Sequence, residues 1–265
     1  MIKILAATGG SRHAERAVRL GCQLTHTRIA TLTVLTVEDP KETIALEHIQ
    51  NKAMEVTQQF GTAVTLVHSA GHPAKVIRSA ALEGGYDLLV IGARGLHSMQ
   101  DFFLGRNAIR LVKNLPVSTL ITRKTDTVKK LLWRIPRGSI NEKHFTLMVH
   151  LVNTLKASLT LLDIEPSAIL FGHRQNTNLG MVNTCEVNER LSRLQSRISQ
   201  ATAREVICRT RTGIPEEVIL NEAASDSYDL VAISVQPRRG LGKLFAEDLP
   251  YRVARNIPIS VLLLN

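Results

Sequence analysis

One pattern of residues occurs twice in this chain at a fixed interval, and this repeat constrains the fold more than any other feature. Three landmarks of the first half return 142 residues later: Tyr86-Asp87, Pro116 and Gly71-x-Pro73 recur as Tyr228-Asp229, Pro258 and Gly213-x-Pro215. A chain of 265 residues is long enough for two domains of ordinary size. A duplicated domain is the simplest account, and we predict domains at 1–126 and 127–265.

Apolar runs alternate with helical periodicity along both halves. The predicted strands cover 2–7, 31–37, 63–67, 88–91 and 117–122, and then 131–135, 159–164, 205–209, 230–233 and 259–264. Helices are predicted between the strands, one of them at about 105–114 after a loop from 93 to 104. Strands separated by helices predict an α/β fold, here two doubly wound, five-stranded parallel sheets of the Rossmann-like type. Such sheets bind ligands at the carboxyl ends of their strands.

The last strand of each half is apolar, at 117–122 and at 259–264. Apolar edge strands tend to pair, so we expect these two edges to meet and the halves to form an internal pseudo-dimer. A further homodimer of the whole chain is left open. Between the halves, Arg123, Lys124, Lys129 and Lys130 form a basic junction, as expected for a solvated linker.

The net charge of +10 favours anionic partners. Only 4% of the residues are aromatic and no stacking platform is evident, so nucleic acid is disfavoured as a partner. Three cysteines without a C-x-x-C motif argue against a disulfide framework, and nine histidines show no metal spacing. No segment has the 18 or more apolar residues of a membrane helix. We therefore expect a cytoplasmic protein without a metal site of its own.

Three glycines follow the fourth strand with a spacing that suits a phosphate loop: Gly92, Gly95 and Gly105. Glycine lets backbone amides approach a ligand closely, and amides at a strand-to-helix turn attract anions. The second half has Ser234, Pro237 and Glu247 at these positions, and Arg137 after its first strand. The sequence thus predicts an anion site in the first half and an empty partner in the second.

The spacing Gly92-x-x-Gly95 and Gly105, set between an Asp-Leu strand and Leu115-Pro116, resembles the nucleotide loop of the universal stress protein family. The opening strand into Gly10-Ser11 and the strand ending at Val37 are similar to that family as well. The resemblance covers both halves and implies a tandem-type stress response protein with the adenine nucleotide alpha hydrolase-like fold. It also implies binding of ATP, with Mg²⁺ where ATP is bound.

The resemblance also implies which residues bind the nucleotide. Gly92, Gly95, Gly105, Arg106 and Asn107 would hold the phosphates, Ala7, Thr8 and Gly9 would lie beside the nucleoside, and the main chain of Val37 would bind adenine. Two positions depart from the family pattern: Gly9 stands where members with an intact loop carry Asp, and Arg106 stands where they carry Ser or Thr. Arg106 and Arg94 add charge, and a guanidinium binds phosphate oxygens well.

Other interpretations remain open at this point. The three glycines also suit a tight turn in a domain without a ligand, and the chain would then be a pseudo-dimeric adaptor for an acidic protein or nucleic acid. No activated nucleophile is evident, so we predict no catalytic residues. At most we expect slow ATP hydrolysis, in which His97 and Asp101 could orient water.

Overall fold

A computed structural model describes residues 1–26, 29–38, 45–93, 111–113, 115–124, 126–136, 138–165, 184–235 and 249–265. The strands are β1 (Ile2–Thr8), β2 (Ala30–Glu38), β3 (Val64–Ala70), β4 (Leu88–Gly92), β5 (Ser118–Thr122), β6 (Lys130–Arg134), β7 (Ser158–Glu165), β8 (Val206–Thr212), β9 (Leu230–Ser234) and β10 (Ser260–Leu264). The helices are α1 (Arg12–Leu24), α2 (Leu46–Gln59), α3 (Pro73–Glu83), α4 (Glu142–Leu155), α5 (Thr184–Thr202), α6 (Pro215–Ser225) and α7 (Leu249–Asn256). The predicted loop 93–104 and helix 105–114 lie mostly outside the described residues.

The ten strands form one sheet in the order β3-β2-β1-β4-β5-β10-β9-β6-β7-β8. Within each half all neighbouring strands are parallel, so each half is the predicted doubly wound, five-stranded unit. β5 and β10 pair antiparallel across the middle. The prediction that the two apolar edges meet is therefore confirmed, and the two halves form an internal pseudo-dimer.

The repeated Gly-x-Pro motif builds the same strand-to-helix turn in both halves. Gly71 and Gly213 have φ of +139° and +149°, a conformation that suits glycine. Their amides donate at 2.9 Å to the last residues of β2 and β7, the carbonyls of Glu38 and Glu165. The proline two residues later begins α3 or α6, where a missing N–H costs nothing. The repeat in sequence is thus a repeat in local structure.

Both faces of the sheet are covered by helices, which explains the continuous apolar runs of the central strands. One face carries α1, α2, α4 and α5, and the buried residues there form one cluster that includes Trp133 and spans both halves. The other face carries α3, α6 and α7, and its cluster also spans both halves. The two halves therefore share their cores on both sides of the β5–β10 junction.

The β5–β10 junction has a pseudo-twofold axis between Leu120 and Leu262, which are directly paired. A matching clasp closes each end of the pair. The amide of Arg123 donates to Ser260 Oγ at 3.0 Å, and the amide of Asn265 donates to Ser118 Oγ at 3.1 Å. These residues are related by the offset of 142, so the clasps come from the duplication itself.

Arg123 is buried, which corrects the expectation that all four basic residues of the junction belong to a solvated linker. Its side chain is 2% exposed, and its guanidinium donates to the carbonyls of Ala254 at 2.7 Å and Ile257 at 2.9 Å. These carbonyls end α7, whose negative dipole end favours a cation. Burial lowers the pKa of Arg123 to about 10, so the side chain is still protonated at neutral pH. A residue of the first half thus caps a helix of the second.

The opposite face of the sheet has a second cap between the halves. His150 of α4 is 3% exposed, and its Nε2 lies 2.8 Å from the carbonyl oxygen of Leu24 at the end of α1. A last-turn carbonyl has no partner inside its own helix, so His150 satisfies it from the other half. Burial lowers the pKa of His150 and of its neighbour on α4, His144.

These two histidines predict a loss of stability in mild acid. Because their folded pKa values lie below the ordinary 6.5, the unfolded chain takes up protons first as the pH falls below that value. Each histidine then lowers the free energy of unfolding by up to about 1.4 kcal/mol per pH unit, until its folded pKa is reached. Urea unfolding between pH 7.5 and 5.5 tests this. A variant with His144→Gln and His150→Gln should lose clearly less stability over this range, and an equal loss would contradict the assignment.

Candidate functional site

The carboxyl ends of β1, β2 and β4 form a crevice in the first half. The strand order reverses at β1, which pairs with β2 on one side and with β4 on the other. At such a point the connections leave in opposite directions and open a space above the strand ends. The predicted residues Ala7, Thr8, Gly9, Val37 and Gly92 all lie here.

The turn from β1 into α1 shapes the floor of the crevice. The amide of Gly10 donates to Thr8 Oγ1 at 3.2 Å, and Gly10 has φ of +79°. Ser11 then caps α1, since its Oγ accepts a hydrogen bond from the amide of Ala14 at 3.3 Å. The first turn of α1 is thereby aimed at the crevice with its positive dipole end.

The main chain of Val37 lies on the opposite side of the crevice. Successive residues of a strand turn their N–H and C=O groups to opposite neighbours. The carbonyl of Glu38 accepts a bond from Gly71 on the β3 side, so the groups of Val37 face the β1 side. The pairing with β1 ends one residue earlier, at Thr36 opposite Thr8. Val37 thus presents backbone groups beyond the end of the β1–β2 ladder.

Gly9 lies directly beside the main chain of Val37. A Cβ atom built on Gly9 would lie 3.5 Å from the carbonyl oxygen of Val37, with no other heavy atom within 4 Å beyond its chain neighbours. A small side chain therefore fits at this position, and a larger one would project over the main chain of Val37.

Gly92 has a packing role that needs no ligand. A Cβ atom at this position would overlap the backbone carbonyl of His13 and lie 2.8 Å from the amide nitrogen of Ala14. These are backbone atoms of the first turn of α1, which cannot move aside cheaply. The first glycine of the loop thus lets α1 pack directly against the end of β4.

Sequence reasoning missed a contact between His68 and Glu38 at this end of the sheet. His68 Nε2 lies 3.6 Å from Glu38 Oε2, and both side chains are partly exposed. Glu38 directly follows Val37, and His68 is paired with Thr36 in the sheet. The position of Glu38 after Val37 was the only signal available, because the pairing of β2 with β3 cannot be read from the sequence alone.

The remaining predicted residues lie outside the described residues. These are Arg94, Gly95, Gly105, Arg106 and Asn107, together with His97 and Asp101 of the same loop. Their roles stay predictions from the sequence. The structure describes the part of the site formed by the carboxyl ends of β1, β2 and β4.

The equivalent crevice of the second half differs at the positions that the sheet register aligns. Arg134 pairs with Ile233 as Ala7 pairs with Ile91, so an arginine replaces the alanine. Ser234 occupies the place of Gly92. The N-cap residue of α4, Asn141, lies six residues after Ile135, which is the equivalent of Thr8 in the second half. The N-cap residue of α1, Ser11, lies only three residues after Thr8. The longer turn leaves room for a side chain at Ser234. Arg137, Pro237 and Glu247 lie outside the described residues.

A separate cavity of about 350 Å³ lies at the other edge of the first half, where its strands begin. Its lining includes Tyr86, Asp87, Glu142 and Asn265. Both carboxylates already have partners, because Asp87 accepts from the amide of Lys3 and Glu142 pairs with Arg197. It lies away from the carboxyl ends of the strands of its half, so we place the functional site at the switch point.

Two further observations concern metal binding and membrane crossing by the described residues. They contain no group of three or more His, Cys, Asp or Glu side chains that could hold a metal ion. None of the helices they form combines the length and the apolar character that crossing a membrane requires.

The structure defines the class of protein. One chain carries two doubly wound α/β units, joined edge to edge about a pseudo-twofold axis, and the strand order of each unit has a switch point. The model of the universal stress protein family matches residues 1–123 and again 148–265. The chain belongs to the universal stress protein family, and it carries that domain twice. The matches leave 124–147 unassigned, so the domain boundary at 126/127 stays a prediction.

Individual relatives agree with this result. A universal stress protein encoded in the 3′ region of a sulfhydrylase gene of Thermus aquaticus is 28% identical over 135 residues, covering 45% of this chain and 97% of its own. The structure of a universal stress protein from Archaeoglobus fulgidus superposes with a TM-score of 0.68 at 14% identity, over 98% of this chain and 97% of that one. One from Pseudomonas aeruginosa gives 0.65 at 16% identity, over 99% and 92%. At these identities the structures are similar in fold.

Proposed function

We propose that the first half binds ATP or a related phosphate-rich ligand as a regulatory signal in the stress response, and that the second half is its structural mate. The observation that carries the proposal is the main chain of Val37, whose groups face the β1 side one residue beyond the last β1–β2 pair, next to Gly9. An adenine ring pairs well with one backbone N–H and one C=O. Val37 offers such a pair where its strand neighbour has ended.

The walls of the crevice suit a nucleoside. Ala7 is 4% exposed and Val37 is 3% exposed, so both residues belong to the core beneath the strand ends. Glu38 on the rim is an acceptor within reach of ribose hydroxyls at this end of the sheet. In the second half Arg134 occupies the place of Ala7, which supports the proposal that the second crevice does not bind the same ligand.

The phosphates would extend from the nucleoside toward the first turn of α1 and the glycine loop. We assign Gly95, Gly105, Arg106 and Asn107 to the phosphates, and Arg94 to the rim, on the spacing of the sequence. Mg²⁺ would have phosphate oxygens and water as its main ligands. At most slow hydrolysis is part of the proposal. We also place the protein in the cytoplasm.

Gly9 allows a sharp test of the crevice. Replacement by leucine is expected to abolish the thermal stabilisation by ATP, because the side chain would project across the space in front of Val37. The backbone of Gly9 is not in the left-handed region, and a Cβ meets only a contact of 3.5 Å. The variant should therefore fold normally. Differential scanning fluorimetry with and without ATP measures both properties.

The matched control is Gly9→Ala, whose methyl group meets only one contact of 3.5 Å and does not extend in front of Val37. We expect the alanine variant to keep its response to ATP. An equal response in wild type and Gly9→Leu, or no response in any of the three proteins, would contradict the proposed site.

The net charge of +10 favours one alternative, a ligand-free adaptor for an acidic partner. Nucleic acid binding of this kind weakens steeply as salt is added, because counterions are released from the phosphates. A protein that is not stabilised by ATP but binds duplex DNA or RNA with a steep salt dependence would support the adaptor alternative. A protein that responds to ATP and shows no such binding would fit our proposal.

A further inference from the structure

β3 leaves an open edge at one end of the ten-stranded sheet. Its seven residues, VTLVHSA, include no Lys, Arg, Asp, Glu or Pro. Gly71 donates to β2, so the alternate residues Val64, Leu66, His68 and Ala70 direct their N–H and C=O groups away from the sheet. Among the described residues no strand pairs with these groups, and such a row is a template for another strand.

The side chains on this edge are apolar and exposed. Leu66 and Val67 are each 43% exposed, and they project from opposite faces of the strand. Proteins commonly protect edge strands with charges, prolines, bulges or a covering helix. Of these devices β3 has neither Lys, Arg, Asp or Glu nor proline, so nothing in the strand itself opposes pairing with another strand.

The other end of the same sheet provides an internal comparison. The register aligns Val67 of β3 with Arg209 of β8, and Ser69 with Arg211. Arg209 and Arg211 both form ion pairs with Glu222 of α6, a carboxylate that is 6% exposed, and Arg209 also pairs with Asp226. The position equivalent to Glu222 in the first half is Ala80. The β8 edge thus carries charged side chains, whereas the β3 edge carries no Lys, Arg, Asp or Glu.

We propose that β3 is a self-association surface, on which the β3 strand of a second copy of this chain pairs antiparallel. A second copy fits because β3 contains no Lys, Arg, Asp or Glu, so pairing it with its own copy brings no such charges together, whereas two β8 edges would bring Arg209 and Arg211 together. A strand that pairs with itself also satisfies twofold symmetry, the commonest symmetry of oligomers.

The alternation of hydrogen-bonding groups defines the register with the greatest overlap. With Val67 on the twofold axis, Val67 faces its own copy, Leu66 faces His68 of the other copy, and Val64 faces Ala70. All seven residues are then paired, and every outward N–H and C=O has a partner. The two ten-stranded sheets become one continuous sheet. This inference rests on β3 alone and is independent of nucleotide binding.

Position 67 gives a test that only self-pairing can satisfy. Val67→Lys places two ammonium groups opposite each other across the axis, and Val67→Glu places two carboxylates there. In analytical ultracentrifugation we expect the wild type at twice the chain mass of 29.3 kDa. Each variant alone should dissociate, with a dimer dissociation constant raised at least about tenfold. An equal mixture of the two variants should recover the dimer, because opposite charges then meet.

Ile207→Lys is the matched control, since Ile207 is also 43% exposed but lies on β8. It should leave the dimer unchanged. The inference is overturned if the wild type sediments as a monomer at all concentrations, or if Val67→Lys remains a dimer. It is also overturned if the mixture of Lys and Glu variants stays monomeric, because Val67 then does not meet its own copy. A circular dichroism spectrum like that of the wild type confirms that each variant is folded.

Discussion

Replacing Gly92 with alanine is expected to destabilise the protein by about 3 kcal/mol or more, enough to prevent folding in a marginally stable chain. The added methyl group would overlap the carbonyl of His13 and approach the amide of Ala14. To make room, α1 must move away from β4, and both elements belong to the central core. Urea unfolding of purified Gly92→Ala, or its soluble yield if it does not fold, measures the effect.

The second half supplies the control for this substitution. Ser234 has the place of Gly92 and already carries a side chain. Its buried Oγ has no hydrogen-bond partner within the described part of the chain, so Ser234→Ala should change the free energy of unfolding by less than about 1 kcal/mol. A tolerated Gly92→Ala would show that α1 and β4 are not in the contact described above.

Loss of Arg123 is the second large effect that we expect. Arg123→Met keeps most of the side-chain volume and removes the guanidinium that donates to Ala254 and Ile257. Buried carbonyls then lose their partners, which costs about 2 to 4 kcal/mol in the free energy of unfolding. Arg123→Lys should recover only part of this, because an ammonium group cannot reproduce the planar fork that reaches both carbonyls.

Asn265 is the matched control for Arg123 because the two residues are related by the offset of 142. Its side chain makes a single bond across the junction, from Nδ2 to the carbonyl of Val117 at 3.3 Å. We expect Asn265→Ala to cost less than about 1 kcal/mol. If Arg123→Met and Asn265→Ala have the same small effect, the buried cap does not hold the two halves together.

The duplication made most of the fold predictable from the sequence. Apolar runs and the Gly-x-Pro turns recur at one offset, and Asp87 and Asp229 make the same backbone hydrogen bond in their respective halves. Their amide nitrogens donate at 2.9 Å to the carbonyls of Lys3 and Lys130, each one residue before the first registered pair of its ladder. A motif that appears twice in similar surroundings is hard to mistake for chance.

Single long-range contacts were not predictable. Arg123 looks like a linker residue because its neighbours in sequence are basic, and its burial depends on α7, more than 120 residues away. The contact of His150 with Leu24 joins two helices of different halves in the same way. Such contacts follow from how the halves dock, and no local pattern encodes that docking.

The candidate site was predictable only in part. The sequence located Gly9 and Val37, which the structure brings together across the crevice. It could not separate the two roles of glycine at position 92, since packing and ligand approach both favour the smallest residue. The sheet register was needed to find that Arg134 replaces Ala7 in the second half. Duplicated halves that share a fold can thus differ in their sites.

The central claim is that one of the two halves binds an adenine nucleotide. Native mass spectrometry of the purified protein with ATP tests it most directly, because it counts ligands per chain. We predict one ATP per chain in the wild type and none in Gly9→Leu. A chain that binds no ATP, that binds two, or that still binds one after Gly9→Leu would contradict the assignment to the first-half crevice.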